Sequence, residues 1–264
     1  MEIIIDQIKL AEVKKWFTVY VHTFKFIDQG IQQNIDLKED HTLRVCKEIL
    51  NIGGQLGLNE NELRLAEIIA LLHDIGRFEQ ISRYQTFMDS KSVDHAELGI
   101  KILKHFKVLK PFDDPIKKLI YCSIKYHSKP ALPVDESEPC LFFCKLIRDA
   151  DKLDILNVVT EYYHRKGGEK NGSIVLELPD TPGISDEVYR NLMSKSIVNI
   201  DHVTNLNDFK LLQAGWIFDI NFQPTLNSIK KRRYIELIRE VLPESKEIDE
   251  IFDLINSVLK PDTV

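Results

Sequence analysis

The chain has 264 residues, 44% of them hydrophobic, and a formal net charge of −6 at pH 7. It is long enough to bury a substantial core as one large domain or two small ones. The acidic balance argues against a dedicated nucleic-acid-binding protein, which needs a basic surface to neutralise phosphates. The strongest basic run, Lys230 to Arg233, precedes an apolar helical pattern and is interpreted as a solvated helix face.

Apolar residues recur at helical spacing along most of the chain. In the first part of the chain, helices are predicted at about 6–28, 37–57, from near Asn59 to Gly76, and at 94–108, 114–128 and 139–163. Residues 77–94 interrupt the pattern and are predicted to form a loop. After a flexible connection at 164–172, residues 173–178 are predicted to form a short strand, followed by helices near 185–199, 206–219, 225–242 and 246–259. This order of elements predicts an all-α fold.

The cysteines and the apolar segments indicate the cellular compartment. Cys46, Cys122, Cys140 and Cys144 form no CxxC pair, and they are interpreted as buried reduced thiols. The N-terminal residues carry charges throughout, so no signal peptide is expected. No apolar stretch approaches the roughly 20 residues that a membrane span requires. We therefore expect a cytoplasmic protein without a membrane or nucleic-acid partner, whose oligomeric state leaves no trace in the sequence.

Several ionisable residues lie on the apolar faces of five predicted helices. They are His41, His73, Asp74, His95, His127 and Asp151. His41, for example, shares its face with Val45 and Ile49. A single histidine of this kind is usually a core residue, but six buried ionisable groups need mutual pairing or a metal to offset the cost of burial. Imidazole nitrogens and carboxylate oxygens are ligands for Fe, Mn, Zn, Co or Ni. Six ligands suit two divalent ions bridged by Asp74.

The ordered pattern H…HD…H…H…D, with LLHDIG at 71–76 and DADKLD at 149–154, resembles the HD-domain superfamily of metal-dependent phosphohydrolases. The resemblance extends from about His41 to Leu156. It implies an HD-domain helical bundle with additional C-terminal helices, with residues 1–160 as the metal-binding core and 161–264 as a helical extension. The family's ligand set for one metal is matched by His41, His73, Asp74 and Asp151. The additional histidines of two-metal members are matched by His95 and His127.

The resemblance implies hydrolysis of a phosphomonoester or phosphodiester in a nucleotide or another small phosphorylated metabolite. Two metals would activate water and hold phosphoryl oxygens, with Asp74 as the catalytic bridge. Arg77 is the first candidate for contacting the substrate anion, because a guanidinium binds phosphate in a bidentate manner. The alternative for Arg77 is a salt bridge to Glu79 or another acid. Lys152 is the second candidate and Lys129 the third, with a solvated surface position as the alternative for both.

The predicted loop from Phe78 to Ser92 joins two ligand-bearing helices and is expected to overhang the site and select the substrate. Other functions remain open at this stage. Some HD-fold proteins with the same ligand types are di-iron oxygenases that cleave C–C or C–P bonds, and the spacing does not separate the two chemistries. A non-catalytic nucleotide-sensing module is disfavoured because the ligand set has no gap. An interaction protein with histidines in its core would bind no metal tightly.

Overall fold

Helices account for the regular secondary structure of the described residues, which in this computed structural model are 3–25, 28–167 and 171–259. The predicted all-α class is confirmed, since these ranges contain no strand. They also contain no helix long and apolar enough to cross a bilayer. The chain divides into two compact units, Met1–Asp154 and Ile155–Val264.

The first unit consists of six helices and the first part of a seventh. They are α1 (Gln7–His22), α2 (Gln29–Gln55), α3 (Glu60–Leu72), α4 (Ile75–Tyr84), α5 (His95–His105), α6 (Asp114–Tyr126) and α7 (Glu138–His164). Helix α2 packs on α3 and α4, α3 also packs on α1 and α6, and α5 lies between α4 and α6. The start of α3 is fixed by a capping box, in which the Asn59 side chain accepts from the Glu62 amide and the Glu62 side chain accepts from the Asn59 amide.

Helix α4 was not predicted, because residues 77–94 were expected to form a loop. The chain instead leaves α3 at Leu72 and begins α4 at Ile75, and the helix continues to Tyr84. Phe78 and Ile81, spaced by three residues, supply its fully buried face. Only residues 85–94 lie outside regular helix, apart from a 3₁₀ turn at Asp89–Lys91. The apolar spacing was present in the sequence but was hidden among the polar residues of the segment.

Gly76 does not end a helix, as the sequence had suggested, but lies in the first turn of α4. A Cβ atom at this position would overlap the carbonyl oxygen of His95 and would lie 2.8 Å from the amide nitrogen of Gly99. Gly99 is restricted in turn, because a Cβ there would lie 3.1 Å from the Ile75 side chain. The two glycines therefore allow the backbones of α4 and α5 to approach closely, which places His95 beside the start of α4.

The second unit contains the remaining helices, which are α8 (Asp186–Met193), α9 (Leu206–Gly215), α10 (Gln223–Arg232), α11 (Tyr234–Arg239) and α12 (Lys246–Leu259). The strand predicted at 173–178 is wrong: Gly172–Val175 is a 3₁₀ turn, followed by Leu176 and Glu177 at φ values of 54° and 55°. The single helix predicted at 225–242 is also wrong, because Arg233 has a φ of 58° and separates α10 from α11. Left-handed backbone breaks the hydrogen-bond series in both places.

Candidate metal centre

The six residues singled out in the sequence are brought together by the ends and faces of five helices. His41 lies on α2, His73 follows the last residue of α3, Asp74 precedes α4, His95 begins α5, His127 follows α6, and Asp151 lies on α7. Five of these side chains are at most 5% exposed, and that of Asp151 is 15% exposed. The junction between α3 and α4 explains the adjacent His73 and Asp74, because the turn between the helices directs both side chains inward.

The two carboxylate oxygens of Asp74 face different pairs of histidines. Oδ2 lies 3.7 Å from Nε2 of His41 and 3.7 Å from Nε2 of His73. Oδ1 lies 3.4 Å from Nε2 of His95 and 3.5 Å from Nε2 of His127. Asp74 thus lies between two sets of ligand atoms.

We call these sets the first and second ligand groups. The first ligand group comprises His41, His73, Asp151 and the Oδ2 atom of Asp74. The second ligand group comprises His95, His127 and the Oδ1 atom of Asp74.

The spacing within each group suits a first-row metal ion. In the first ligand group, Oδ1 of Asp151 lies 3.1 Å from Nε2 of His41 and 3.7 Å from Nε2 of His73. In the second, the Nε2 atoms of His95 and His127 are 3.1 Å apart. With metal–ligand bonds of about 2.1 Å, neighbouring ligand atoms lie roughly 3.0 to 3.4 Å apart in octahedral or tetrahedral sites. The ligand atoms need to move by only a few tenths of an ångström to surround an ion in either group.

All four imidazoles present Nε2 to the centre, because Nδ1 is bonded elsewhere. The acceptors, each 2.7 Å from Nδ1, are Asp154 Oδ2 for His41, the Ala70 carbonyl for His73, Asp89 Oδ2 for His95 and the Ile124 carbonyl for His127. Carbonyls and carboxylates accept hydrogen bonds, so in the neutral rings the proton lies on Nδ1 and the lone pair on Nε2. Such an arrangement is typical of histidines that bind metals.

These lone pairs have no suitable partner within the protein. The Nε2 atoms of His41 and His73 are buried without a hydrogen bond, although carboxylate oxygens lie near them. Nε2 of His95 faces Nε2 of His127, so that two acceptors point at each other. Burial of unpaired acceptors is costly, and a cation between them removes the cost. The donor set therefore fits divalent ions.

The charges support the same conclusion. Burial raises the pKa of Asp74, but the nearby Lys38 and His73 outweigh it and hold the pKa well below its ordinary value. Burial also raises the pKa of Asp151, and hydrogen bonds from His41 and His73 outweigh it in the same way. Burial and the neighbouring Arg77 lower the pKa of His95 to about 4 against the opposing effect of Asp89. Near neutral pH the site thus offers ionised carboxylates and a neutral His95.

Arg77 lies within the first turn of α4, and not past a helix end as the sequence had suggested. Its Nη1 atom donates to the Phe87 carbonyl at 2.7 Å and to Asp89 Oδ1 at 2.9 Å, and its Nε atom lies 3.6 Å from Oδ1 of Asp74. Its acidic partners are thus Asp89 and Asp74, while Glu79 pairs with Arg83. Arg77 borders the second ligand group and also holds the segment after α4 in place.

The two lysine candidates have different positions. Lys152 is only 9% exposed, so it does not occupy a solvated surface position. Lys129 is ion-paired to Asp94, the residue whose side chain caps the start of α5. The pair connects the chain just after His127 to the chain just before His95. Contact of Arg77, Lys152 or Lys129 with a substrate stays a prediction.

Sequence reasoning missed four residues that support the centre. Asp154 and Asp89 accept from His41 and His95, Lys38 donates to Oδ2 of Asp74 at 2.7 Å, and Arg148 donates to the carbonyl of His127 at 3.2 Å. Helical spacing could have identified three of them. Lys38 precedes His41 by three residues on α2, and Arg148 and Asp154 flank Asp151 by three residues on α7. Asp89 follows α4 and had no such signal.

The comparisons with known proteins agree with this site. The model of the HD domain family matches residues 39–156, which contain all six ligand residues. No match was found among curated proteins or among solved structures. The HD domain is characteristic of metal-dependent hydrolases, and the His/Asp cluster has the composition and spacing of a divalent-metal site. From these observations, residues 39–156 of the chain belong to the HD domain family.

Proposed function

We propose that the protein is a metal-dependent phosphohydrolase that acts on a nucleotide or another small phosphorylated metabolite. The observation that carries the proposal is the position of Asp74, whose two oxygens face two separate pairs of histidine Nε2 atoms at 3.4 to 3.7 Å. A carboxylate in this position can bridge two ions. Bound in the two ligand groups, divalent ions would supply the Lewis acidity that activates water and holds phosphoryl oxygens for in-line displacement.

The charge of the centre favours an anionic substrate. Asp74 and Asp151 carry two negative charges against the four positive charges of two divalent ions, which leaves the site positive. Lys38 and Arg77 add two cations next to Asp74, at 2.7 Å and 3.6 Å from its oxygens. Both side chains are mostly buried, at 16% and 15% exposed, so that their charges are only partly screened by water. A phosphate ester meets these requirements.

The protein residues have separable roles in this proposal. The histidines and Asp151 hold the ions, and the Nδ1 acceptors fix the orientation of the imidazoles. Arg77 is a candidate for neutralising charge that develops on the phosphoryl oxygens, since a guanidinium keeps its charge at all relevant pH values. Lys152 stays a second candidate on account of its position next to Asp151.

The test combines metal analysis with a phosphatase and phosphodiesterase screen of purified protein. We expect phosphate release with manganese or cobalt under anaerobic conditions, which also separates hydrolysis from dioxygen-dependent cleavage. His73→Ala and Asp74→Ala should abolish turnover and reduce the bound metal. The matched control is His22→Ala, which changes an exposed histidine at the end of α1 and should leave both unchanged.

Arg77→Ala tests the substrate contact separately. It should raise KM or lower kcat while the metal content is retained, because Arg77 is not a member of either ligand group. Full activity of Asp74→Ala, or turnover that requires dioxygen, would contradict the proposed reaction. A protein that binds metal and nucleotide without turning over would point to a sensing module instead.

A further inference from the structure

A second cluster of metal-binding side chains lies apart from the His/Asp centre. It is formed by Cys122 on α6, Cys140 and Cys144 on α7, and Glu136 just before α7. The three cysteines are free and at most 6% exposed. Cys144 precedes Asp151 by seven residues, which places the cluster about 10 Å further toward the start of α7.

The spacing of the cluster is close to that of a tetrahedral zinc site. The Sγ atoms of Cys122 and Cys140 and a carboxylate oxygen of Glu136 lie within 4.8 Å of one another. The Sγ atoms of Cys122 and Cys144 are 3.7 Å apart. With Zn–S bonds of about 2.3 Å, two sulfurs of a tetrahedral site are about 3.8 Å apart. The Cys122–Cys144 separation already has this value, and Cys122 is the member common to all contacts.

Packing of cysteines as small apolar side chains is the ordinary explanation for buried thiols, and Cys46 is an example on α2, beside the Glu67 carbonyl at 3.9 Å. The cluster differs from Cys46 because it includes a carboxylate. Oε2 of Glu136 is shielded from solvent and lies 3.1 Å from Nζ of Lys118, one turn before Cys122. Apolar packing alone gives no reason for a carboxylate among thiols.

The cluster can also be reached from solvent. Cys122 and Glu136 line a surface groove together with Lys118 and Tyr121. Without an ion, the thiols stay protonated: the hydrogen bond with Cys144 and burial raise the pKa of Cys122, and burial raises that of Cys140. An ion that enters the groove would therefore displace protons from the thiols, as metal binding by cysteine requires.

We propose that Cys122, Cys140, Cys144 and Glu136 bind one zinc ion. The three thiols lose their protons to solvent on binding and the carboxylate is already ionised, so the step is an exchange of one Zn²⁺ for three protons without oxidation. The ammonium group of Lys118 offsets part of the resulting negative charge. The ion would connect α6 to the beginning of α7. These two helices position His127 and Asp151, but the inference does not depend on the proposed hydrolysis.

Cobalt titration of the metal-free, reduced protein tests the site without measuring activity. Thiolate ligands give Co²⁺ an intense charge-transfer absorption in the near ultraviolet, whereas the His/Asp centre contains no sulfur. We expect this absorption to saturate at one equivalent in the thiolate site and to disappear when zinc is added. Cys122→Ser should abolish it and lower the bound zinc by one ion per chain. Cys46→Ser is the matched control and should leave both unchanged.

Two further variants protect the test against misfolding of Cys122→Ser. Cys140→Ser should also remove the charge-transfer absorption, and Glu136→Gln should weaken cobalt binding while all three thiols remain. Circular dichroism of each variant establishes that the helices are intact. The site is disproved if the folded, reduced wild-type protein shows no thiolate absorption, if the absorption survives Cys122→Ser or Cys140→Ser, or if Glu136→Gln binds cobalt as tightly as the wild type.

Discussion

Oδ2 of Asp89 lies 2.7 Å from Nδ1 of His95, and the other oxygen of Asp89 accepts from both Arg77 and Gln80 at 2.9 Å. Two donors thus fix a carboxylate that in turn fixes the imidazole. Gln80 is fully buried and also donates to the Val93 carbonyl, so α4 holds the chain on both sides of Asp89. The ring of His95 is therefore oriented by residues that do not belong to either ligand group.

Replacement of Asp89 by alanine should weaken metal binding in the second ligand group. His95 would lose the acceptor that keeps its proton on Nδ1 and its lone pair on Nε2. Loss of such a partner typically lowers metal affinity by about 10- to 100-fold. Metal titration by calorimetry measures the change. Asp253→Ala, at an exposed position on α12, is the control and should leave the affinity as it is. Unchanged affinity in Asp89→Ala would show that the hydrogen bond does not orient His95.

Gly76→Ala should destabilise the protein and reduce metal binding by His95. The added methyl group would overlap the His95 carbonyl oxygen and push α4 away from α5. Overpacking of this kind costs roughly 1 to 3 kcal/mol. Gly54→Ala is the matched control, because Gly54 lies in α2 with no atom within 4 Å of its added Cβ. That variant should be neutral or more stable by up to about 1 kcal/mol. Chemical denaturation of both variants decides the matter, and equal stabilities would argue against a close helix contact at Gly76.

Removal of metal should lower the melting temperature. An ion present at a hundred times its dissociation constant stabilises the folded state by about 2.7 kcal/mol. For a protein of this size, that corresponds to a shift of roughly 5 to 11 °C. Thermal unfolding with and without a chelator measures the shift. It should shrink in Asp74→Ala, which lacks the bridging carboxylate, and persist in His22→Ala. Equal melting curves for the wild type with and without chelator would mean that the folded protein holds no tightly bound ion.

Asp154 should contribute to the pH dependence of stability in the metal-free protein. Burial raises the pKa of Asp154, but hydrogen bonds from His41 and Arg44 outweigh it and keep the pKa below its ordinary value of 3.8. A carboxyl group with a lowered pKa in the folded state stabilises the protein above the unfolded value, and this contribution is lost as the pH falls through the folded value. Asp154→Asn should therefore cost about 1.5 kcal/mol at pH 7.

The difference between wild type and Asp154→Asn should diminish below about pH 4, where the wild-type carboxyl group becomes protonated. Denaturant unfolding of the metal-free proteins at pH 7, 5 and 3 measures it. Asp114→Asn, at a side chain that is 93% exposed, should show little difference at any pH. A constant difference for Asp154→Asn across this range would mean that the ionised carboxylate is not what stabilises the fold.

The all-α fold could be predicted because helical periodicity records which face of each segment is buried. Hydrophobic residues at the spacing of His41, Val45 and Ile49 also show that a polar side chain points inward with them. The ordered histidines and aspartates therefore predicted a common centre, and the structure brings their side chains together. Positive-φ residues such as Arg233 gave no comparable signal, because nothing in the side chain type requires that conformation.

The sequence by itself determined the helical class and six inward-pointing residues, since both follow from local periodicity along single helices. The tertiary structure decided which acceptor reaches each Nδ1 atom, because Asp89 and Asp154 come from segments distant in sequence from α2 or separated from α5 by a turn. It also decided the role of Gly76, which depends on the backbone of α5 and not on its own neighbours in the chain. Contacts between elements require their relative positions, and periodicity within one element does not contain that information.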